Sequence, residues 1–158
     1  MSELVGGAYP GCEVCDILEH DRYEEFAVLT RGDHWVAYLR DHDQTLLGTT
    51  FITLRRHAPE LDYLTTEEES ELIVMRNGLI RAIRDAFDPL TFNFSCLKND
   101  AFKHDMGAPA EASLVHWHLK PRYEGGPVSF AGETFNDPMP GRYLTIFERH
   151  QPPRGVAV

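Results

Sequence analysis

Two histidines one residue apart, His116 and His118, stand inside the apolar run Leu114-Val115-His116-Trp117-His118-Leu119. In a strand, residues two apart face the same side, so both imidazoles share one surface while Trp117 and Leu119 point to the other. A neutral imidazole can attack phosphorus, and a neighbouring one can donate a hydrogen bond to the charge that develops on the phosphoryl oxygens. Pro121 is expected to end the strand, and Arg122 to hold phosphate. The bare spacing fits an ordinary polar strand face equally well, so the flanking residues have to decide. A second reactive pair, Cys12 and Cys15, reads as metal ligands or plain thiols rather than as a disulfide, because three cysteines cannot all pair. The third, Cys96, lies in an apolar run and is expected to be buried.

These residues need a scaffold, and the hydrophobic periodicity outlines one. Phe26 to Thr30 and Trp35 to Leu39 flank the turn-forming Arg31-Gly32-Asp33 and read as a β-hairpin, followed by a β-rich run from Gly48 to Leu54. Thr65 with Glu68 three residues on resembles a capping box, and acidic residues 67 to 69 suit the positive end of a helix dipole. Leu72, Met75, Leu79, Ile83 and Phe87 then give one apolar helix face until Pro89 stops it. Thr91 to Leu97, Ser113 to Lys120 and Arg142 to Glu148 are further strand candidates. One long helix serving five or six strands implies an α+β fold with a largely antiparallel sheet.

Composition limits the partners. A chain of 158 residues supports one hydrophobic core, hence one domain over residues 1–158. Fifteen Lys+Arg against 25 Asp+Glu give a net charge of −10, which would repel a nucleic-acid backbone, so no nucleic-acid partner is expected. Any bound phosphate must be held by local donors. No run approaches the ~20 apolar residues that cross a bilayer, and residues 1 to 11 lack a basic region followed by an apolar one, so a cytoplasmic protein without a membrane partner is expected.

The segment Val115-His116-Trp117-His118-Leu119-Lys120-Pro121-Arg122-Tyr123 resembles the signature strand of the histidine triad (HIT) family, in which histidines alternate with apolar residues and Pro-Arg often follows. Other segments resemble family motifs in the same order: Cys12-Glu13-Val14-Cys15-Asp16-Ile17, Tyr38-Leu39-Arg40-Asp41, residues 48 to 57, Leu61, Leu64-Thr65-Thr66-Glu67-Glu68, Asn93 and Leu97-Lys98-Asn99. The resemblance covers residues 12–123 and implies a curved antiparallel sheet with one main helix, usually in a homodimer. It implies binding of a purine nucleotide or dinucleotide, and transfer or hydrolysis of nucleoside phosphoramidates or dinucleoside polyphosphates. His116 would be the nucleophile and His118 the last histidine of the triad. Asp41 would bind ribose; Asn99, Ser113 and Arg122 would complete the substrate-binding set; and Val14, Ile17 and Leu39 would line the base pocket. His57 would support the triad or ligate zinc with Cys12, Cys15 and His104, a structural site, since the resemblance implies no cofactor for catalysis.

Three departures from the pattern stand out. Leu114 replaces the first histidine, residues 100 to 112 are longer than the usual phosphate turn, and Ala110 stands where many members carry Gln. Positioned proton transfer is typically worth about 10²–10⁴-fold, so the loss of a histidine leaves two function classes open. One is an enzyme that works through His116. The other is a nucleotide-binding or regulatory protein that keeps the pocket with little turnover.

Overall fold

The computed structural model describes residues 9–19, 26–40, 44, 46–98, 114–124, 127–137 and 140. Its elements are helix α1 (Glu13–Glu19), strands β1 (Phe26–Arg31), β2 (Trp35–Arg40) and β3 (Thr50–Leu54), helix α2 (Thr66–Phe87), and strands β4 (Thr91–Ser95), β5 (His116–Arg122), β6 (Val128–Phe130) and β7 (Glu133–Phe135). β1 to β5 form an antiparallel sheet in the order β1-β2-β3-β5-β4, and β6 and β7 form a separate hairpin. The α+β class, the antiparallel sheet and the single main helix are as the sequence implies.

Helix α2 begins where the capping box places it. The Thr65 side chain accepts from the Glu68 amide at 3.3 Å, and the Glu68 carboxylate accepts from the Thr65 amide at 2.8 Å. The helix ends at Asp88, which takes the left-handed conformation just before Pro89. Leu72, Leu79 and Ile83 are buried against one face of the sheet, where they meet Trp35, Ala37, Ile52, Leu54, Val115 and Leu119. The opposite face carries Val36, Tyr38 and Leu114 and packs against Cys12, Cys15 and Leu18 of the α1 region. The sheet is thus covered on both sides, and strand alternation decides which cover each side chain meets.

Some elements differ from expectation. β5 does not stop at Pro121; it continues to Arg122, with Pro121 opposite Phe92 of β4. The Arg122 carbonyl accepts from Leu90 on the β4 side, so the Pro121 nitrogen faces the other side, where the pairing with β3 has already ended at Leu119. A proline there removes no ladder hydrogen bond. The β6–β7 hairpin, turning at Ala131-Gly132 with φ of 52° and 84°, was hidden in a Pro/Gly-rich stretch. Helix α1 has seven residues, too few for its periodicity to stand out. Arg142 to Glu148 lie outside the described residues. No helix among the described residues is long and apolar enough to cross a membrane.

Candidate active site

On β5, His116 lies opposite Thr53 and His118 opposite Phe51 of β3, while Ser95 of β4 lies opposite His118. Both imidazoles therefore stand on the α1 face, away from α2. Their ring centroids are 5.0 Å apart, and both residues are buried, at 8% and 6% relative exposure. Phe51 meets the His118 ring edge-on at 4.7 Å, and the Tyr38 hydroxyl hydrogen-bonds Thr53 at 3.1 Å beneath them.

The decisive contact is short. His116 Nδ1 lies 2.8 Å from the Leu114 carbonyl oxygen. A carbonyl only accepts, so Nδ1 carries the proton and the lone pair of the neutral ring is on Nε2. The bond uses the backbone of residue 114, so a leucine there supplies it as well as a histidine would. Burial pushes the half-buried Cys96 thiol up, and the nearby His116 amide and Lys98 oppose the shift.

A second cluster lies on the same face. Cys12, Cys15 and His57 bring their sulfur and ring-nitrogen atoms within 4.8 Å of one another. Cys15 Sγ is 3.1 Å from His57 Nδ1, the Cys15 amide donates to Cys12 Sγ at 3.4 Å, and Tyr9 stacks on His57 at 4.8 Å. Ligands around zinc, at about 2.3 Å for sulfur and 2.0–2.1 Å for nitrogen, lie roughly 3.5–3.8 Å apart. The trio fits such an ion with small adjustments. A hydrogen bond with the Cys15 side chain, and then burial, push the Cys12 thiol up, while the Cys15 amide opposes the shift.

Arg122 is committed elsewhere. Its Nε and one terminal nitrogen bond the Asp137 carboxylate at 2.5 and 3.1 Å in a buried setting, and the other reaches Asn93 at 2.9 Å where the contact is partly buried. It also stands six residues beyond His116, about 20 Å along the strand.

Solved structures of the same architecture come from distant sequences. A crystallised HIT family protein from Bacillus anthracis has a TM-score of 0.60 at 22% identity, covering 90% of this chain and 87% of its own. The fold is that of HIT proteins. A Zn-bound histidine triad family protein from Mycobacterium smegmatis gives a TM-score of 0.55 at 21% identity, with 82% of this chain and 84% of its own covered. A hypothetical histidine triad nucleotide-binding protein from Sulfolobus tokodaii gives 0.55 at 20% identity, with coverage of 73% and 71%. No family model matches the sequence, and no curated protein matches it at a significant level.

Within this HIT fold the sequence-derived residues divide into three groups. His116, His118, Cys12, Cys15 and His57 share one face of the sheet, and Val14 packs on the same cluster with the buried Ile17 nearby in α1. Leu39 does not join them, because it alternates with Tyr38 and faces α2. There it lines a groove of about 920 Å³ with Leu29, Val74, Gly78, Ala82 and Phe87. Arg122 is held by Asp137, as described. Asp41, Asn99, His104 and Ser113 lie outside the described residues. Phe51, Thr53 and Ser95 were not singled out from the sequence. Only the strand register brings them to the histidines, and nothing in their local sequence encodes it.

Proposed function

We propose that this chain binds purine nucleotides and acts as a hydrolase or nucleotidyltransferase through a nucleotidyl-histidine intermediate on His116. The observation that carries this reading is the bond from His116 Nδ1 to the Leu114 carbonyl, which leaves the Nε2 lone pair for attack. In the first step Nε2 forms a bond to the α-phosphorus of a nucleoside phosphoramidate or dinucleoside polyphosphate, and the bond from phosphorus to the leaving group breaks with its electron pair. In the second step water attacks the same phosphorus, loses a proton to solvent, and returns the electron pair to Nε2. His118, on the same face 5.0 Å away between ring centroids, stabilises the charge on the phosphoryl oxygens.

We place the ribose on Asp41 and the phosphate near Asn99 and Ser113, with Val14 and Ile17 towards the base, in one domain that works as a homodimer in the cytoplasm. The Sulfolobus tokodaii neighbour, described as nucleotide-binding, supports the ligand class. Cys12, Cys15 and His57 would hold a structural zinc, in keeping with the Zn-bound neighbour from Mycobacterium smegmatis. Such an ion would anchor the α1 region and the loop after β3; no step of the chemistry passes through it.

A second reading, a nucleotide-binding protein of low activity, is favoured by one feature: Leu114 offers no side-chain proton donor. Rapid quenching in base with a labelled dinucleoside polyphosphate separates the two. The enzyme reading expects an acid-labile adduct on the peptide containing His116, absent in His116→Ala. Nucleotide binding without adduct or turnover for any phosphoramidate or dinucleotide would leave the binding reading in its place.

A further inference from the structure

The metal-ligand trio and the nucleophile are joined through a chain of short contacts. His57 precedes Ala58, whose carbonyl accepts from the Val115 amide at 2.9 Å, and the Val115 carbonyl in turn accepts from Leu54 at 3.4 Å. Leu114, next to Val115, is 1% exposed and belongs to the same buried cluster as Cys12 and Cys15. Its carbonyl is the acceptor that fixes the tautomer of His116. The segment that orients the nucleophile is thus held by the residue after one ligand and packed in one cluster with the other two. Position 114 itself brings only an apolar side chain to that cluster. Its hold on the trio is by packing alone, which depends on the cysteines staying in place.

We propose that metal occupancy of Cys12, Cys15 and His57 orders the Leu114–His116 segment, so that the trio controls the alignment of the nucleophile. This rests on the reading of His116 as nucleophile only for its functional consequence; the ordering can be measured without substrate. When two thiolates and an imidazole close on one ion, α1 and the loop carrying His57 become a single cross-linked unit, and Ala58 and Leu114 are fixed from both sides. Without the ion the three side chains are linked by hydrogen bonds among themselves, such as the 3.1 Å contact of Cys15 with His57. Local opening then needs less free energy.

The test is hydrogen exchange on the whole protein, loaded with zinc alone or treated with chelator, read by NMR. The expected result is binding of about one zinc per chain, with exchange of the Val115 amide at least tenfold slower in the zinc form. The Nδ1 proton of His116 should be visible in that form and lost to exchange broadening in the other. Amides in the middle of α2, such as Leu79 and Ile83, should exchange alike in both forms. Cys15→Ser should show the metal-free pattern whether or not zinc is present. Equal Val115 exchange in the two forms overturns the proposal, as does failure to bind zinc. Slowing that extends equally through α2 also overturns it, since the ion would then be a general staple. Adduct formation is measured separately, so zinc-dependent protection in a protein that forms no adduct would leave this inference standing and remove the enzymatic reading.

Discussion

At the scale of single residues, position 114 separates what a backbone can supply from what a side chain must. The Leu114 carbonyl fixes the His116 tautomer and leaves the lone pair on Nε2, so on the proposed mechanism His116→Ala should abolish adduct and turnover, whereas His118→Ala should slow turnover by about 10²–10³-fold with the fold unchanged, as loss of one oxyanion donor does. What leucine cannot do is donate a proton. A polyphosphate leaves as an anion that needs none, while the amine of a phosphoramidate needs one before the bond can break. Dinucleoside polyphosphates should therefore be turned over faster than phosphoramidates by at least ten-fold in kcat/KM, within the range that proton transfer contributes. The opposite order would mean that another group supplies the proton. Leu114→His gives a separate check. Because position 114 belongs to the buried cluster of Cys12 and Cys15, a histidine there would offer the trio a fourth donor. Zinc affinity by chelator competition should rise at least tenfold, and unchanged affinity would place that side chain away from the ion. The pairing of His116 with His118 was legible in the sequence, since alternation alone puts them on one side. The dedication of Arg122 to Asp137 was not, because those residues are fifteen apart and meet only through the hairpin that follows β5.

At the scale of elements, α2 is tied to the sheet by two carboxylates of its N-terminal half, one at the β1–β2 turn and one at the segment that follows β3. Glu71 accepts from the His34 and Trp35 amides at 3.0–3.2 Å and so pins the β1–β2 turn. A Cβ at Gly32 would fall on that carboxylate, so a larger residue there would displace it from the two amides. Glu68 closes the capping box and pairs with Arg56 at 2.6 and 2.8 Å. Burial by itself would raise its carboxyl, but the hydrogen bonds from Arg56 and the Thr65 amide outweigh this and hold it below the usual range. A carboxylate depressed in the folded state contributes stability above its unfolded pKa, about 4.3, and loses it as pH falls through the lower folded value. Glu68→Gln should therefore cost about 2 kcal/mol at pH 7, less than a fully buried pair because Arg56 remains partly wet. The difference from wild type should shrink below about pH 4, as urea melts across pH would show; a constant difference would mean the charge is irrelevant. The start of α2 was readable because a capping box is local. β6, β7 and α1 were not: the two strands have three residues each inside a Pro/Gly-rich stretch, and the periodicity of α1 spans under two turns.

For the whole molecule, the question is how a chain with net charge −10 would take the anionic substrate proposed for it. Three cations among the described residues are already neutralised. Arg56 pairs with Glu68, Arg122 with Asp137 and Lys98 with Glu60. On the proposed reading, affinity comes from contacts made after arrival: imidazoles, backbone amides and the helix-flanked face of β5. The long-range field acts against approach. At about 0.01 M salt the Debye length is roughly 30 Å, so an incoming polyphosphate feels the whole negative molecule, whereas at about 0.15 M it is roughly 8 Å and only nearby groups count. Screening should therefore speed encounter rather than slow it. The kcat/KM for a dinucleoside tetraphosphate should rise, by about two- to tenfold, between those two salt concentrations, with kcat nearly constant because chemistry at His116 occurs after the substrate is seated. A neutral dye with slow, salt-independent binding would serve as the control for salt effects on the protein itself. The opposite result, a steep fall of kcat/KM with salt, would mean that a local positive field at the histidine face overrides the net charge. Lys120, next in the alternation after His118 and half-buried, would be the first residue to replace. In that case Lys120→Ala should flatten the salt dependence, and a slope unchanged by that replacement would move the attracting charge to another part of the chain.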